Sequence, residues 1–206
     1  MGKDVIMLLI EQMGIVLSYA LNLKRAGLDE EALASIDEFL DPVLDGSPDD
    51  LDVSHIAGAL AGLHVDSPTV LGVVRLLKER GEILSHLRDA RCFAQYQKGL
   101  SLALTLEPAE WAGKADLVYE LYRQSEPAES ELTHLVDGME IAGRYAYAED
   151  ILYDLLETYP TRENRERGRA FYNRLLTLDD GVLMQGGLPR EEVLEGISSL
   201  EILYDL

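Results

Sequence analysis

Apolar residues along this chain recur every three or four positions, and no useful length shows the every-second-residue alternation of a strand. The clearest stretch is residues 143–160, GRYAYAEDILYDLLETYP. Tyr147, Ala148, Ile151, Leu152, Leu155, Leu156 and Tyr159 fall on one stripe of a helix there, with Gly143 as a turn before it and Pro160 as its stop. Upstream, Leu132, Leu135, Val136 and Met139 mark a second helix, so the two predict a helix–turn–helix pair. The pattern is all-α.

Residues 3 to about 26 predict one long helix with Lys24 and Arg25 in its last turn and Gly27 as its stop. Val5, Leu8, Leu9, Gln12, Val16, Tyr19, Ala20 and Leu23 mark one face, and Ile6, Ile10, Met13, Leu17 and Leu21 a second. A helix apolar on two faces needs cover on two sides. Its own hairpin partner supplies one, so the second face is expected to mediate self-association. Residues 27–44 repeat the later pattern: Gly27, Ala32, Ile36 and Phe39 keep the spacing of Gly143, Ala148, Leu152 and Leu155, and Asp29 is expected to cap the helix.

Further along, Ser47 and Pro48 read as a helix start, giving a helix over about 48–62, and Asp66-Ser67-Pro68 opens another through Leu84. A helix over about 89–106 should turn Ala90, Phe93, Ala94, Gln97, Leu100 and Leu104 inward. One over 110–123 should bury Trp111, Ala115, Val118, Leu121 and Tyr122, before Glu126-Pro127 breaks it. After Pro160, TRENRERGRAFYNRLL is locally basic; Arg162/Glu166 and Glu163/Arg167 stand at i, i+4 and predict a laced surface. The sharper alternative makes Arg162, Arg165 and Arg169 a contact for an acidic partner. A glycine turn and Pro189 then start a terminal helix.

Set against the tetratricopeptide pattern of about 34 residues, Gly143 takes the turn glycine, Ala148 the small residue at the helix crossing and Pro160 the terminal proline. The expectation is a single tetratricopeptide-like domain over 1–206 with about nine or ten helices. It comprises an N-terminal repeat-like unit at about 3–45, an irregular helical middle at about 47–125, and a C-terminal repeat with capping helices at about 128–206.

Charge narrows the partners. Eighteen basic against 38 acidic residues give a net charge of −20, which opposes binding to phosphate backbones and anionic membranes. Basic or apolar segments of proteins fit better, including a second copy of the chain. One cysteine, Cys92, allows no intrachain disulfide and suits a reducing cytoplasm. The apolar N-terminus is interrupted by Glu11, Gln12, Ser18 and Asn22 and shows no small-residue cleavage site, so neither a signal peptide nor a membrane span is expected.

Chemistry-bearing motifs are sparse. The chain has no GxxxxGK[ST], HExxH or CxxC, and no GxGxxG after a strand. Glu131-x-x-His134 and Asp52-x-x-His55 have the spacing of carboxylate–histidine metal pairs, yet a di-metal site needs two Glu pairs and two further carboxylates. No cofactor, metal or catalytic residue is therefore assigned. Ten tyrosines include Tyr119, Tyr122 and Tyr145, which could line a groove for a peptide or small molecule. The positions where carboxylate-clamping repeats carry Lys, Arg and Asn hold Leu17, Leu21, Thr133 and Asp137, so no such clamp is expected.

AGRYAYAEDILYDLLE, GRAFYNRLLTLDDGVLMQGGLPREEVLEG and EQMGIVLSYALNLKRAGLDEEALASIDE together resemble a family of uncharacterised, tetratricopeptide-like bacterial proteins, mostly from Gram-positive species. The resemblance implies a fold and a cytoplasmic setting, and no catalytic residues. The functional expectation is a non-enzymatic interaction or scaffold module, self-associating through its N-terminal helix. The alternative is a sensor with a tyrosine-lined concave groove.

Overall fold

A computed structural model describes the backbone of residues 3–204 and the side chains of residues 6–111 and 113–200. Among the described residues there are twelve α-helices, one short 3-10 turn and no strand, so the chain is all-α. It divides into two compact units, Met1–Glu126 and Pro127–Leu206.

The first unit holds α1 (Lys3–Arg25), α2 (Asp29–Leu44), α3 (Val53–Gly62), α4 (Ser67–His86), α5 (Cys92–Ala103), α6 (Pro108–Trp111), a 3-10 turn (Ala112–Lys114) and α7 (Ala115–Tyr122). Helices α1 and α2 form a hairpin over Gly27, whose φ of 75° is a backbone conformation that side chains disfavour. Helix α4 packs against α1, α2 and α5, and α5 packs in turn against α7. Covered on so many sides, α4 buries Val73, Val74, Leu76, Leu77, Ile83 and Leu84 together with two charged residues, Glu79 and Arg80.

Three local expectations are corrected here. Leu28 occupies the N-cap of α2, and Asp29 is its first helical residue. Residues 47–51 form a turn in which the Asp50 and Leu51 amides donate to the Ser47 carbonyl. The next helix begins only after Asp52, whose carboxylate accepts from the His55 amide at 2.8 Å. The helix expected over 110–123 is split by the 3-10 turn around Gly113, although Trp111, Ala115, Val118, Leu121 and Tyr122 are all buried as expected.

Helix α5 is rotated from its expected face. Phe93 is exposed and Ala90 and Ala94 lie outward, while Cys92, Gln95, Tyr96, Gly99, Leu100 and Ala103 point in. Two glycines decide between the faces. A Cβ on Gly81 would lie 2.6 Å from the Tyr96 ring, and one on Gly99 would lie 3.1 Å from Leu121. Gly81 makes room for Tyr96 of the buried face, and Gly99, on that face itself, makes room for Leu121 of α7.

The second unit holds α8 (Glu129–Ile141), α9 (Tyr145–Thr158), α10 (Arg162–Leu175), α11 (Asp180–Gln185) and α12 (Arg190–Tyr204). Helices α8 and α9 are the expected hairpin, turning at Gly143 with φ 68°. Leu132, Leu135, Val136 and Met139 are buried on α8, and Ala148, Ile151, Leu152, Leu155 and Leu156 on α9. Thr161 caps α10 by accepting from the Asn164 amide at 3.2 Å. Helix α12 packs on α10 with Gly196 beneath Tyr172, where a Cβ would meet the ring at 2.5 Å. Helix α11, only six residues long, is too short to show a period and was not expected.

Candidate functional site: an uncovered face on the first helix

One side of α1 lies against α2 and α4, with Met13 and Ala20 buried along it. Ile6, Leu9, Val16, Leu17, Leu21 and Leu23 are half-covered at its margins. The opposite side is bare: Met7 is 68% exposed, Leu8 55%, Ile15 54% and Tyr19 57%, and Ile10 is exposed beside them. Among the outward-facing described side chains of this helix, Glu11 and Arg25 carry the charge. Large apolar side chains concentrated on one helix face in a chain of net charge −20 are the most conspicuous feature of the surface.

This corrects the self-association set in one member. Met13 faces inward, and its methyl carbon lies 2.7 Å from where a Cβ on Gly72 of α4 would stand. The glycine opens a slot that the methionine fills, so Met13 belongs to the core of its own chain. Ile10 is outward, and Ile6, Leu17 and Leu21 are half-covered. Met7, Leu8, Ile15 and Tyr19 complete the bare face, and both apolar stripes of the sequence contributed to it. The signal was the breadth of the apolar arc; which part α4 covers depended on Gly72.

The first unit also holds an ionic network around the buried Arg80 of α4. The Arg80 guanidinium donates from Nε to Asp37 at 2.7 Å and from Nη1 and Nη2 to the two Asp49 oxygens at 2.7 and 2.9 Å. Asp49 also accepts from Arg91 at 2.5 Å and Gln95 at 3.0 Å. Burial pushes the Asp49 carboxyl upward, but hydrogen bonds and charge from Arg80 and Arg91 outweigh it and hold the group below its ordinary value. On the adjoining part of α4, Lys24 and Lys78 both bond Glu82 and keep it ionised. Glu79 is pushed the other way, first by burial and then by the charge on Glu82.

Lys78 and Glu82 border a hollow of about 480 Å³ lined also by Tyr96, Tyr119 and Glu120 among others. Its ammonium, Lys78, is saturated by Glu82 at 2.6 Å and Glu120 at 2.9 Å. Tyr122 is buried, its ring centroid 5.6 Å from that of Tyr119. Tyr145 belongs to the second unit, where it helps line a hollow of about 860 Å³ with Asp137, Glu140, Ile141, Arg167 and Arg174. The proposed tyrosine set therefore splits between units, with one member in each hollow and one in the core.

On α10, Arg162 bonds Glu166 at 2.8 Å as expected for a laced surface. Arg167 does not take the Glu163 partner expected at i, i+4; it reaches Asp137 of α8 at 2.9 Å, and Arg174 reaches Glu140 at 2.7 Å. Arg165 and Arg169 are half-buried and do not line the hollow.

The two carboxylate–histidine spacings prove to be helix starts. Asp52 caps α3, and Glu131 accepts from the Ala128 amide at 3.0 Å at the start of α8. Among the described residues no group of three or more His, Cys, Asp or Glu side chains has the arrangement of a metal site. Cys92 is free and buried.

Compared with known proteins, residues 1–205 match a family described as "Family of unknown function (DUF6483)". No curated protein matches, and no solved structure matches.

Proposed function

The chain belongs to the DUF6483 family, a family of unknown function, and from that premise we propose that it is a non-enzymatic protein-interaction module that self-associates through α1. The observation that carries this is the bare apolar face of Met7, Leu8, Ile15 and Tyr19. Its hairpins are of tetratricopeptide type in this proposal, supported by the left-handed turn at Gly143 and by Ala148, fully buried on α9. The net charge of −20 supports a protein partner over nucleic acid.

Magnitudes set the strength. Burying a large apolar side chain fully contributes about 1.5–3 kcal/mol, and these four are already about half covered. Across two copies the gain is about 6–12 kcal/mol, of the same size as the roughly 4–15 kcal/mol lost in freedom on association. The pairing is thus concentration-dependent rather than obligate.

A membrane is the competing occupant, because Ile6–Arg25 is long and apolar enough to cross one by length and composition. Two features favour a protein surface: α1 is packed along one side against α2 and α4, and its outward side carries Glu11, Gln12 and Asn22.

Light scattering on a size-exclusion column, over a concentration series, tests this. The wild type should approach twice 22.9 kDa as concentration rises. Ile15→Glu, which places a charge in the face without touching the core, should stay at the monomer mass with an unchanged circular dichroism spectrum. A wild type that stays monomeric throughout would overturn the proposal.

A further inference from the structure

We infer that the two α1 helices pair antiparallel about a twofold axis at Ser18; this rests on the self-association proposed above and fixes its register. Charge decides the direction. Glu11 and Arg25 are both exposed, and neither has an ion-pair partner among the described residues. A parallel pair would set Glu11 against Glu11 and Arg25 against Arg25. Antiparallel helices with Ser18 at the axis set Glu11 of each copy against Arg25 of the other, because the two residues stand seven positions either side of Ser18. That is about 10 Å along a helix rising roughly 1.5 Å per residue. Two reciprocal ion pairs then close the ends of the contact.

The apolar positions agree with this register. At 100° per residue, roughly the turn of an α-helix, Glu11, Gly14, Ser18, Asn22 and Arg25 run down the middle of the bare face. Leu8, Ile15 and Tyr19 lie along one edge, and Ile10, Leu17 and Leu21 along the other. A twofold axis perpendicular to the helix pair keeps each edge facing its own copy. Ile15 then comes beside Tyr19 of the second copy, and Leu17 beside its Leu21. Small side chains occupy the crossing itself: a Cβ on Gly14 would meet nothing within 4 Å, and Ser18 is exposed. The partner is a second copy of this chain, since the face supplies both members of each complementary pair.

Disulfide trapping tests the register directly, with the buried Cys92 as the background thiol. In Ser18→Cys the two new thiols meet at the axis, within the roughly 4 Å between Cβ atoms that a disulfide needs. In Met7→Cys they stand about 33 Å apart, eleven residues from the axis on either side at about 1.5 Å each. Mild oxidation should cross-link Ser18→Cys at least about tenfold faster than Met7→Cys, in step with the fraction of dimer at each concentration.

Charge exchange gives an independent readout. Glu11→Arg or Arg25→Glu alone should weaken the dimer by about tenfold, and the two together should restore it to within about threefold. A dimer that Ile15→Glu splits, but that traps faster through Met7→Cys or ignores the charge exchange, overturns the register and leaves self-association standing. A chain that stays monomeric, or that moves onto neutral lipid vesicles instead, overturns both.

Discussion

At the scale of single residues, Arg80 explains most about the first unit. Its side chain is 1% exposed, and it keeps its charge there because two carboxylates occupy its donors. Asp49 in turn collects Arg80, Arg91 and Gln95, while the Lys98 ammonium holds the Pro48 carbonyl at 2.6 Å and the Asp49 carbonyl at 3.1 Å. The loop between α2 and α3 is thereby tied to α4 and α5. Asp49→Ala leaves a buried guanidinium half-satisfied and should cost about 3–5 kcal/mol at neutral pH, toward the lower figure because Asp37 remains.

The pH dependence follows from the sign of the shift. A carboxyl held below its ordinary 3.8 contributes stability above that value and loses it as pH falls through the lower, folded value. Urea unfolding should therefore show the gap between wild type and Asp49→Ala narrowing only below about pH 4. A gap that is constant with pH would place the cost in packing rather than charge. In the sequence this network was visible only as charged residues inside an apolar helix; the partners, 31 and 43 positions away from Arg80, required the fold.

At the scale of elements, the α8–α9 hairpin was legible and α5 was not, for reasons that lie in particular residues. Gly143 and the α9 stripe leave one consistent arrangement, since the turn needs positive φ and the stripe has a single face. Ala148 is fully buried on that face. Ala148→Leu adds atoms where there is no room and should destabilise the second unit by about 1–3 kcal/mol in denaturant unfolding; a neutral result would mean the two helices do not meet closely there. Helix α5 offers two stripes at helical spacing, and the choice belongs to Gly81 and to the carboxylate that holds Gln95, both distant in sequence. The same limit applies to α1, where Gly72 of α4 took Met13 into the core and left Ile15 and Tyr19 outside.

At the scale of the whole molecule, a strongly acidic chain carries one helix face almost free of charge. Among the described residues the exceptions are Glu11 and Arg25, which carry opposite charges. The residues expected from the sequence to mediate self-association divide within α1: Ile10 lies on the bare face, Ile6, Leu17 and Leu21 at its margins, and Met13 in the core. The tyrosine and arginine positions are divided between the two units. Tyr122 is in the core, Tyr119 and Tyr145 line different hollows, and Arg162 spends its charge on Glu166.

Hydrogen exchange at two protein concentrations tests the use of α1 as an interface most directly, because it reports where association occurs as well as whether it does. Amides of α1 from Ile10 to Arg25 should exchange more slowly at the higher concentration, while those of α10, Arg162–Leu175, keep the same rate at both. Protection that rises on α10 and not on α1, or that changes on neither, would contradict the account.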